Sequence, residues 1–243
     1  MTLADRAGGG GSNGRPRGGP FDDLAERYAR FNELRDRLLP TGQWLLANLP
    51  GGATAVDLGC GDGLHTERLA QRYEQVLGVD NSGGMLEVAR RRHSGPGIRY
   101  EQRGVLDVTP ERDGRFDAVV SVNTLHHVGP LEVVLPRVRR LAAPGAVVLL
   151  ADIVDPGGWR ERDWHIENAF AGARSFYEMA GGDPDAAADT LRLLLHPRWL
   201  ELSLADVPPS REEFTRLAAE AFPGAVFHHD LHPVMCALVW QAP

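Results

Sequence analysis

A short apolar run that ends in closely spaced glycines constrains the fold of this chain more than any other feature. Residues 55–63 read AVDLGCGDG, which predicts a buried strand that stops in a glycine-rich turn. Glycine lets the backbone approach a ligand where a Cβ would collide. Asp80 ends the next apolar run, and an acid at that place can accept hydrogen bonds from both hydroxyls of a ribose. The pattern predicts an α/β fold with a pocket for a nucleoside-containing cofactor.

The spacing of the glycines decides between classes of cofactor. A dinucleotide-binding turn has the pattern G-x-G-x-x-G, in which the third glycine packs the helix on the strand. Here the glycines are Gly59, Gly61 and Gly63, and Leu64 stands where the third dinucleotide glycine would be. The spacing disfavours a dinucleotide, and a glycine turn in some other α/β fold stays an alternative.

Composition sets the size and the surroundings of the fold. The 243 residues, of which 43% are hydrophobic, suit one large domain or one domain with an insertion. No run of about eighteen apolar residues predicts a transmembrane helix, and the N-terminus lacks the apolar segment of a secretory signal. Two cysteines, Cys60 and Cys236, cannot form a disulfide framework. We therefore expect a cytoplasmic protein with no membrane partner.

The charged residues exclude several functions. A net charge of −7 argues against a nucleic-acid partner, because such a protein needs a face that neutralises phosphates. All 26 basic residues are arginine. The lack of lysine excludes mechanisms that need one, such as a pyridoxal Schiff base or a P-loop lysine.

Five segments are predicted along the chain. Residues 1–20 are rich in glycine and have almost nothing to bury, so we expect a disordered tail. Residues 21–52 carry apolar residues at spacings of three and four, which predicts N-terminal helices. Strand and helix patterns alternate over 53–155, the predicted cofactor-binding core. Residues 156–210 are rich in aromatic residues and predict a helical, acceptor-binding insertion over the strand ends, and 211–243 are expected to complete the core with a helix and two strands.

The alternation predicts a parallel sheet that helices cover on both faces. The predicted strands are 54–58, 76–79, 98–101, 117–122, 146–151, 225–230 and 234–240, and the predicted helices of this region are 64–73, 83–92, 131–142, 186–195 and 211–221. Ligands of such sheets bind beyond the carboxyl ends of the strands. The polar residues expected there are Asp57, Asp80, Asp107, Asn123 and Asp152.

Five further segments follow the order found in a known family. They are FDDLAERY at 21–28, LGVDNS at 77–82 with Met85 three residues later, FDAVVS at 116–121, NTLHHV at 123–128 and RLAAPGA at 140–146. With the glycine turn, they resemble class I S-adenosylmethionine (SAM)-dependent methyltransferases of the small-molecule type, similar to those of quinone biosynthesis. The resemblance implies a Rossmann-like seven-stranded sheet, mostly parallel with an antiparallel last strand, and SAM as the cofactor.

The resemblance also implies which residues hold the cofactor. It places Asp80 on the ribose and Met85 beside the adenine. The family often has an acid directly after the residue equivalent to Gly104, aimed at the adenine amine, whereas this chain has Val105 there. Either Asp107 substitutes, or backbone and packing alone hold the adenine. The implied cofactor residues are Tyr28, Asp57, Gly59, Gly61, Gly63, Asp80, Asn81, Met85, Leu106, Asp107 and Asn123.

Two adjacent histidines are the candidates for a catalytic base. His126 and His127 lie in the loop that the resemblance places between cofactor and acceptor. A histidine with its ordinary pKa of about 6.5 can accept a proton at neutral pH. Because neighbouring residues point apart, we expect only one of the two to face the pocket. The alternative is that one of the pair caps or packs the following helix.

The insertion supplies the candidates for acceptor binding, and no metal site is predicted. Ligand pockets are mostly apolar with a few polar groups, which favours Trp164, His165 and Tyr177 as acceptor contacts. The alternative is that the aromatic residues only pack the insertion on the sheet. The histidines at 228, 229 and 232 have no companion ligands beyond Asp230, and strand alternation puts 228 and 229 on opposite faces. Asp152 and Asp155 lie where some class I enzymes hold a divalent cation, without its other recognisable ligands.

The resemblance implies an enzyme that transfers a methyl group from SAM to an oxygen or nitrogen of a small-molecule acceptor. Two alternatives stay open: a SAM-binding protein that catalyses a non-methylating reaction, and an NAD-type oxidoreductase, which Leu64 disfavours. A homo-oligomer is compatible with the sequence. The identity of the acceptor is not encoded in any pattern described above.

Overall fold

Seven strands form one sheet in the computed structural model, which describes residues 21–243. The strands are β1 (Gly52–Leu58), β2 (Tyr73–Asp80), β3 (Ile98–Gln102), β4 (Phe116–Val122), β5 (Ala142–Ile153), β6 (Val226–His228) and β7 (Met235–Gln241). The helices are α1 (Ala25–Leu38), α2 (Thr41–Ala47), α3 (Leu64–Leu69), α4 (Gly83–Arg92), α5 (Pro110–Asp113), α6 (Leu131–Arg140), α7 (Arg162–Met179), α8 (Pro184–Leu194), α9 (Pro197–Ala205) and α10 (Arg211–Ala221). The tail predicted at 1–20 lies outside the described residues.

The strand order confirms the predicted fold class. The order is β3-β2-β1-β4-β5-β7-β6. The pairings among β1 to β5 are parallel, and β7 runs antiparallel to both β5 and β6. Because parallel strands end at the same edge, the residues that follow β1, β2, β4 and β5 meet there. That edge carries the candidate site.

The core lies on both faces of the central strands. In β1, Val56 and Leu58 pack with Leu135 of α6 and Phe214 of α10. Ala55, on the opposite face, packs in the cluster that contains Trp44 and Leu69. A strand buried on both faces has apolar residues at consecutive positions rather than at alternate ones. This explains why consecutive positions before the glycine turn, Ala55 and Val56, are both apolar.

Three helices separate β5 from α10 and form a roof over the strand ends. Helices α7, α8 and α9 all lie within the predicted insertion, 156–210. An isolated parallel bridge between Asp155 and Ser210 brings the two ends of this segment together. Phe176 of α7 and Leu193 of α8 pack against Phe31 of α1. The N-terminal helix and the insertion are therefore joined by one apolar cluster.

Several element boundaries differ from the sequence-based ranges. The helix predicted at 64–73 ends at Leu69, because the chain must turn before β2 begins at Tyr73. Strand β5 is longer than the predicted 146–151, since it pairs with β4 from Ala142 onward across an irregularity in register. None of the helices formed by residues 21–243 has the length and apolarity needed to cross a membrane.

Candidate active site

A cavity of about 560 Å³ opens at the carboxyl edge of the sheet. Its floor is the turn after β1, the end of β2 and the loop after β4, and its roof comes from α1 and the insertion. Most of the predicted cofactor residues line it: Tyr28, Gly59, Gly61, Asp80, Asn81, Met85, Leu106, Asp107 and Asn123. Asp57 borders a small adjoining pocket instead, and Gly63 lines neither.

The three glycines of the turn differ in what they do. All have positive φ: 75° at Gly59, 52° at Gly61 and 84° at Gly63. A Cβ at Gly59 would lie 2.1 Å from Thr124, and one at Gly63 would lie 2.4 Å from the hydroxyl of Tyr100. A Cβ at Gly61 would meet nothing closer than 4.0 Å. Gly59 and Gly63 are thus required by packing, whereas Gly61 exposes backbone to the cavity.

The Asp80 carboxylate is fixed by backbone donors at the edge of the cavity. Its Oδ2 accepts from the N–H of Gly61 at 3.0 Å and its Oδ1 from the N–H of Ser82 at 2.8 Å. Burial raises the pKa of this carboxyl, and the two backbone hydrogen bonds oppose that shift. Each oxygen keeps a lone pair for another donor. A pair of vicinal hydroxyls, as in a ribose, fits this arrangement.

Beyond the glycine turn, the adjoining small pocket brings acids and one arginine together. Asp57 accepts from the Thr66 hydroxyl at 2.6 Å, and burial raises its pKa to about 7. Asp62 Oδ1 accepts from Asn32 at 2.9 Å, but its buried Oδ2 has no partner among residues 21–243. A buried carboxylate oxygen without a donor is unfavourable. An ammonium group would supply the missing donors.

Arg35 borders both this small pocket and the large cavity. Its guanidinium donates to the side-chain oxygen of Asn123, which has a φ of 54°, and lies over the ring of Phe31. Within the described chain it forms no ion pair with an acid. Guanidinium groups bind carboxylates through paired hydrogen bonds. The buried acids and Arg35 thus match a zwitterionic amino acid, and with Asp80 they fit a nucleoside linked to one, as SAM is.

The opposite end of the cofactor region is mostly apolar. Met85 and Leu106 line it. Asp107 also lines it, but its Oδ2 accepts from the N–H of Gly104 at 3.0 Å and closes a short turn at 105–107. One carboxylate oxygen of Asp107 thus accepts a backbone hydrogen bond, and the other has no protein hydrogen bond among the described residues.

His126 is held by an aspartate from the neighbouring strand. Its Nδ1 lies 2.6 Å from Oδ1 of Asp152, and its backbone N–H donates to Oδ2 of the same carboxylate at 3.0 Å. Burial alone lowers the pKa of His126, but the charge and hydrogen bond of Asp152 outweigh it and raise the pKa. The carboxylate selects the tautomer with a proton on Nδ1, so that Nε2 carries the lone pair.

His127 faces the same cavity, so the prediction that only one of the two histidines does so is wrong. Residues 125–127 form a turn of 3-10 helix, and the alternation of a strand does not apply to them. The two rings lie 3.8 Å apart between centroids. His127 Nδ1 lies 2.9 Å from Oδ1 of Asp206, which follows α9. The loop after β4 and the insertion thus meet at this pair.

Aromatic residues of 156–210 also line the cavity. Trp164 and His165, which are among the predicted acceptor contacts, line it, and His165 Nε2 lies 2.6 Å from the carbonyl oxygen of Trp159. Tyr177 does not: it is 43% exposed and lies outside the cavity, whereas Phe176 lines it. Successive helical residues point about 100° apart, so an error of one position along α7 moves the side chain to the outer face.

Sequence reasoning missed Arg35 and Asp206 as site residues. Arg35 follows Tyr28 by seven positions and Phe31 by four, so a cation on the apolar face of α1 was the available signal. Asp206 lies 79 residues from His127 along the chain, and no local pattern points to it. The histidines at 228, 229 and 232 do not converge: they contact Trp44, Cys236 and the cavity respectively.

Comparison with known proteins identifies the domain that carries this geometry. A family model described as "Methyltransferase domain" matches residues 56–150. The trans-aconitate 2-methyltransferase of Methylobacterium nodulans is 42% identical over 127 residues, covering 50% of this chain and 46% of that protein. The ubiquinone biosynthesis O-methyltransferase of Pseudomonas paraeruginosa is 36% identical over 141 residues, covering 55% and 60%. The matched part spans less than two thirds of either relative.

A solved structure shares the fold over almost the whole chain. The DhpI–SAH complex has a TM-score of 0.61 and 21% sequence identity, and the alignment covers 92% of this chain and 94% of that one. The likeness extends through the insertion and β7, beyond the part that the family model matches. The resemblance stated from the sequence motifs is confirmed.

Proposed function

We propose that this chain transfers a methyl group from SAM to an oxygen or nitrogen of a small organic acceptor, a proposal that the match of residues 56–150 to the methyltransferase-domain model supports. The observation that carries the proposal is the single cavity that runs from Asp80 to His126 and on to Trp164. A site for a nucleoside and a second, largely aromatic site thus share one cavity. The two named relatives are called a trans-aconitate 2-methyltransferase and a ubiquinone biosynthesis O-methyltransferase, which favours a small organic acceptor.

Residues of the core would hold the cofactor in this reaction. Asp80 would accept from the ribose hydroxyls, and the backbone at Gly61 would lie against the bound molecule. Arg35 would donate to the carboxylate of its amino-acid end, and Asp62 and Asp57 would attract its ammonium group. When bound, SAM supplies a methyl group that its sulfonium already activates. Fixing the orientation of both reactants can provide much of the rate enhancement.

His126 is proposed to act as the base for a hydroxyl acceptor. Its Nε2 takes up the proton that the acceptor oxygen loses, and Asp152 stabilises the resulting imidazolium through Nδ1. His127 is the second candidate and is oriented in the same way by Asp206. A neutral amine acceptor would form its bond to the methyl carbon before any proton is lost, and so would not need a base for that step. A hydroxyl acceptor would need one, which favours oxygen acceptors for a site that contains His126 and His127.

The roof over the acceptor would exclude water and set its shape. Trp164, Phe176 and Trp199 present rings to the cavity. Phe21 lies 5.4 Å from His127 and 6.2 Å from Trp199 between ring centroids, so the start of the described chain closes the same end. An apolar or aromatic acceptor fits these walls. We place this reaction in the cytoplasm, without a nucleic-acid or membrane partner, and a homo-oligomer is compatible with it.

The test combines binding with product analysis. Calorimetry with S-adenosylhomocysteine (SAH) should show saturable binding, and NADH should not bind. A library of hydroxy and amino acids, phenols and amines should then be incubated with protein and SAM, and methylated product and SAH should appear in equal amounts by mass spectrometry. NADH binding without SAH binding would support the oxidoreductase. SAM-dependent conversion of a substrate without methylated product would support a non-methylating reaction.

A further inference from the structure

Three side chains that can ligate a metal converge at the acceptor end of the cavity. They are His126 and His127 from the turn after β4 and Asp206 from the segment after α9, and one ligating atom of each lies within 4.8 Å of the other two. Both histidines and Asp206 line the cavity. The core supplies two of these groups and the insertion supplies the third.

The separations are close to those that a bound ion requires. Zinc lies about 2.0–2.2 Å from nitrogen and oxygen ligands, so two ligand atoms at a tetrahedral or right angle are roughly 3.0–3.5 Å apart. His127 Nδ1 and Asp206 Oδ1 are 2.9 Å apart. The widest separation in the cluster is within 4.8 Å, so binding an ion requires the ligand atoms to approach by about 1 Å.

An outer aspartate orients the first of these ligands. Asp152 binds the Nδ1 side of His126 at 2.6 Å. The side chains of His126 and Asp152 are only 5% and 2% exposed. Metal-binding histidines typically donate their other ring nitrogen to a carboxylate, which fixes the ring and makes the ligating nitrogen more basic. His126 has this arrangement, with Nε2 as the nitrogen left to ligate.

We propose that His126, His127 and Asp206 form a binding site for a divalent transition metal such as zinc or cobalt. Two imidazoles and one carboxylate suit these ions, whereas magnesium and calcium prefer sites built of oxygen ligands. Three protein ligands leave a fourth position open toward the cavity. The site is distinct from a magnesium site at Asp152, because Asp152 serves His126 and is not itself a ligand.

The site has a consequence that rests on the proposed function. A metal ion that occupies Nε2 of His126 removes the lone pair that would accept the acceptor's proton. Methyl transfer that uses this base proceeds in the metal-free protein and is suppressed when the ion binds. The proposal therefore makes zinc an inhibitor that competes for the base, and not a requirement of the reaction.

Cobalt absorption tests the site without any turnover. The full-length protein, freed of metal with EDTA and dialysed, is titrated with Co²⁺, and the visible absorption of four- or five-coordinate cobalt is followed. One equivalent should bind, Zn²⁺ should displace it, and excess Mg²⁺ should not. Asp206→Asn and His127→Asn should each weaken Co²⁺ binding by at least about tenfold, the scale seen for altered metal sites.

A matched variant controls for other histidines. His196 lies ten residues before Asp206, caps α9 by accepting from the N–H of Arg198, and is outside the cluster. Asparagine also caps helices, so His196→Asn should fold, retain wild-type Co²⁺ affinity and retain activity. Circular dichroism melting curves show whether the two site variants are folded. No saturable cobalt absorption, or wild-type affinity in both folded site variants, would overturn the site.

Turnover provides the second arm of the test. Saturating Zn²⁺ should reduce wild-type methyl transfer at least tenfold and reduce that of the His127→Asn variant much less. Binding of cobalt with unchanged turnover in zinc would overturn the inhibitory role. If no methyl transfer is found with any acceptor, the proposed function fails, yet the absorption titration still decides whether the metal site exists.

Discussion

The proposed cofactor half of the cavity, around Gly61 and Asp80, and the proposed acceptor half, around His127 and Asp206, are built in different ways. In the cofactor half, the decisive contact joins the backbone of Gly61 to Asp80, only 19 residues later and on the adjacent strand. In the acceptor half, it joins two side chains, His127 and Asp206, that are 79 residues apart. Contacts made by backbone near in sequence are fixed once the sheet forms. Contacts between distant side chains depend on how the insertion packs.

The two halves also differ in how their charges are compensated. Asp57 and Asp62 are buried and Asp80 is half-buried near them, and burial raises the pKa of each. Hydrogen-bond donors for these carboxylates are missing in part: within the described chain, Oδ2 of Asp62 has none. In the acceptor half each carboxylate has a histidine as its hydrogen-bond partner, Asp152 with His126 and Asp206 with His127. The cofactor half is therefore the one that lacks hydrogen-bond donors, which the ammonium group of a bound cofactor would supply.

The largest expected effect separates chemistry from cofactor binding. His126→Asn should lower kcat for a hydroxyl acceptor by about 10²–10⁴-fold, the usual contribution of a general base. Because the residue lies beyond the cofactor half, the affinity for SAH should change less than about twofold. Steady-state kinetics and calorimetry measure the two quantities. Asp152→Asn should lower kcat in the same direction, and loss of SAH affinity in both variants would show that the two halves are not separate.

A pH effect should appear in the cofactor half. The pKa of Asp57 is raised to about 7 in the fold, so between its ordinary pKa and 7 the unfolded chain releases this proton while the folded protein keeps it. The protonated carboxyl of Asp57 therefore contributes to the free energy of unfolding at low pH, and this contribution is lost as pH rises toward 7. The free energy of unfolding of Asp57→Asn relative to wild type should therefore rise by roughly 2 kcal/mol from pH 5 to pH 8.

Urea titrations at several pH values measure this difference. Asp62 and Asp80 add repulsion at Asp57, and they are present in both proteins, so the comparison isolates position 57. If the difference in unfolding free energy between Asp57→Asn and wild type were the same at every pH, the raised pKa of Asp57 would be contradicted. Added SAH should stabilise wild type more at pH 8 than at pH 5, because the ionised carboxylates then attract its ammonium.

Removal of the ribose partner tests the cofactor half directly. Asp80→Ala should weaken SAH binding by more than about 1 kcal/mol, the scale of a lost buried hydrogen bond. Asp117 offers a control: its carboxylate also accepts from backbone N–H groups, at Ala53 and Thr54, but at the other end of β1. Asp117→Ala should leave SAH affinity unchanged in calorimetry. Equal weakening in both variants would mean that Asp80 acts only through stability.

Much of the fold and the cofactor half could be predicted from sequence because the signals are local. The apolar run of β1, the glycines after it and Asp80 after the next run define a strand, a turn and a second strand end within 29 residues of Gly52. Gly63, predicted as a cofactor residue, lines neither the cavity nor the small pocket. Packing requires a glycine there, since a Cβ would lie 2.4 Å from the hydroxyl of Tyr100. The antiparallel last strand was implied by the family resemblance and not by periodicity, and the order of the strands was not predicted.

The rest could not be predicted because it depends on tertiary packing. The relevant face of α7 is set by contacts with α8 and α1, so Phe176 and not Tyr177 lines the cavity. The direction of His127 is set by a 3-10 turn that hydropathy does not reveal. Asp206 enters the site only because Asp155 and Ser210 bring the ends of the insertion together. Single-sequence patterns carry none of these long-range constraints.

A smaller effect is expected from a substitution that changes acceptor binding but not SAH binding. Trp164→Ala removes a ring that lines the cavity and should raise KM for an apolar acceptor by roughly tenfold, the value of one buried hydrophobic contact. SAH affinity should stay within about twofold. Phe170→Ala, on the exposed side of the same helix, is the matched control and should change neither. If Trp164→Ala weakens SAH and the acceptor equally, the insertion is a general roof and not an acceptor site.

The smallest expected effect is that of chelation. The chemistry proposed here uses a base and an activated methyl group, and no residue needs a Lewis acid to act. EDTA should therefore leave the methyl-transfer rate unchanged, or raise it slightly by removing zinc from His126, His127 and Asp206. Initial rates with and without EDTA, followed by addition of Mg²⁺, measure this. A loss of activity that magnesium restores would contradict it and would make Asp152 a ligand rather than the partner of His126. The acceptor half would then need a bound ion for the reaction. The pairing of its two aspartates with histidines would no longer distinguish it from the cofactor half.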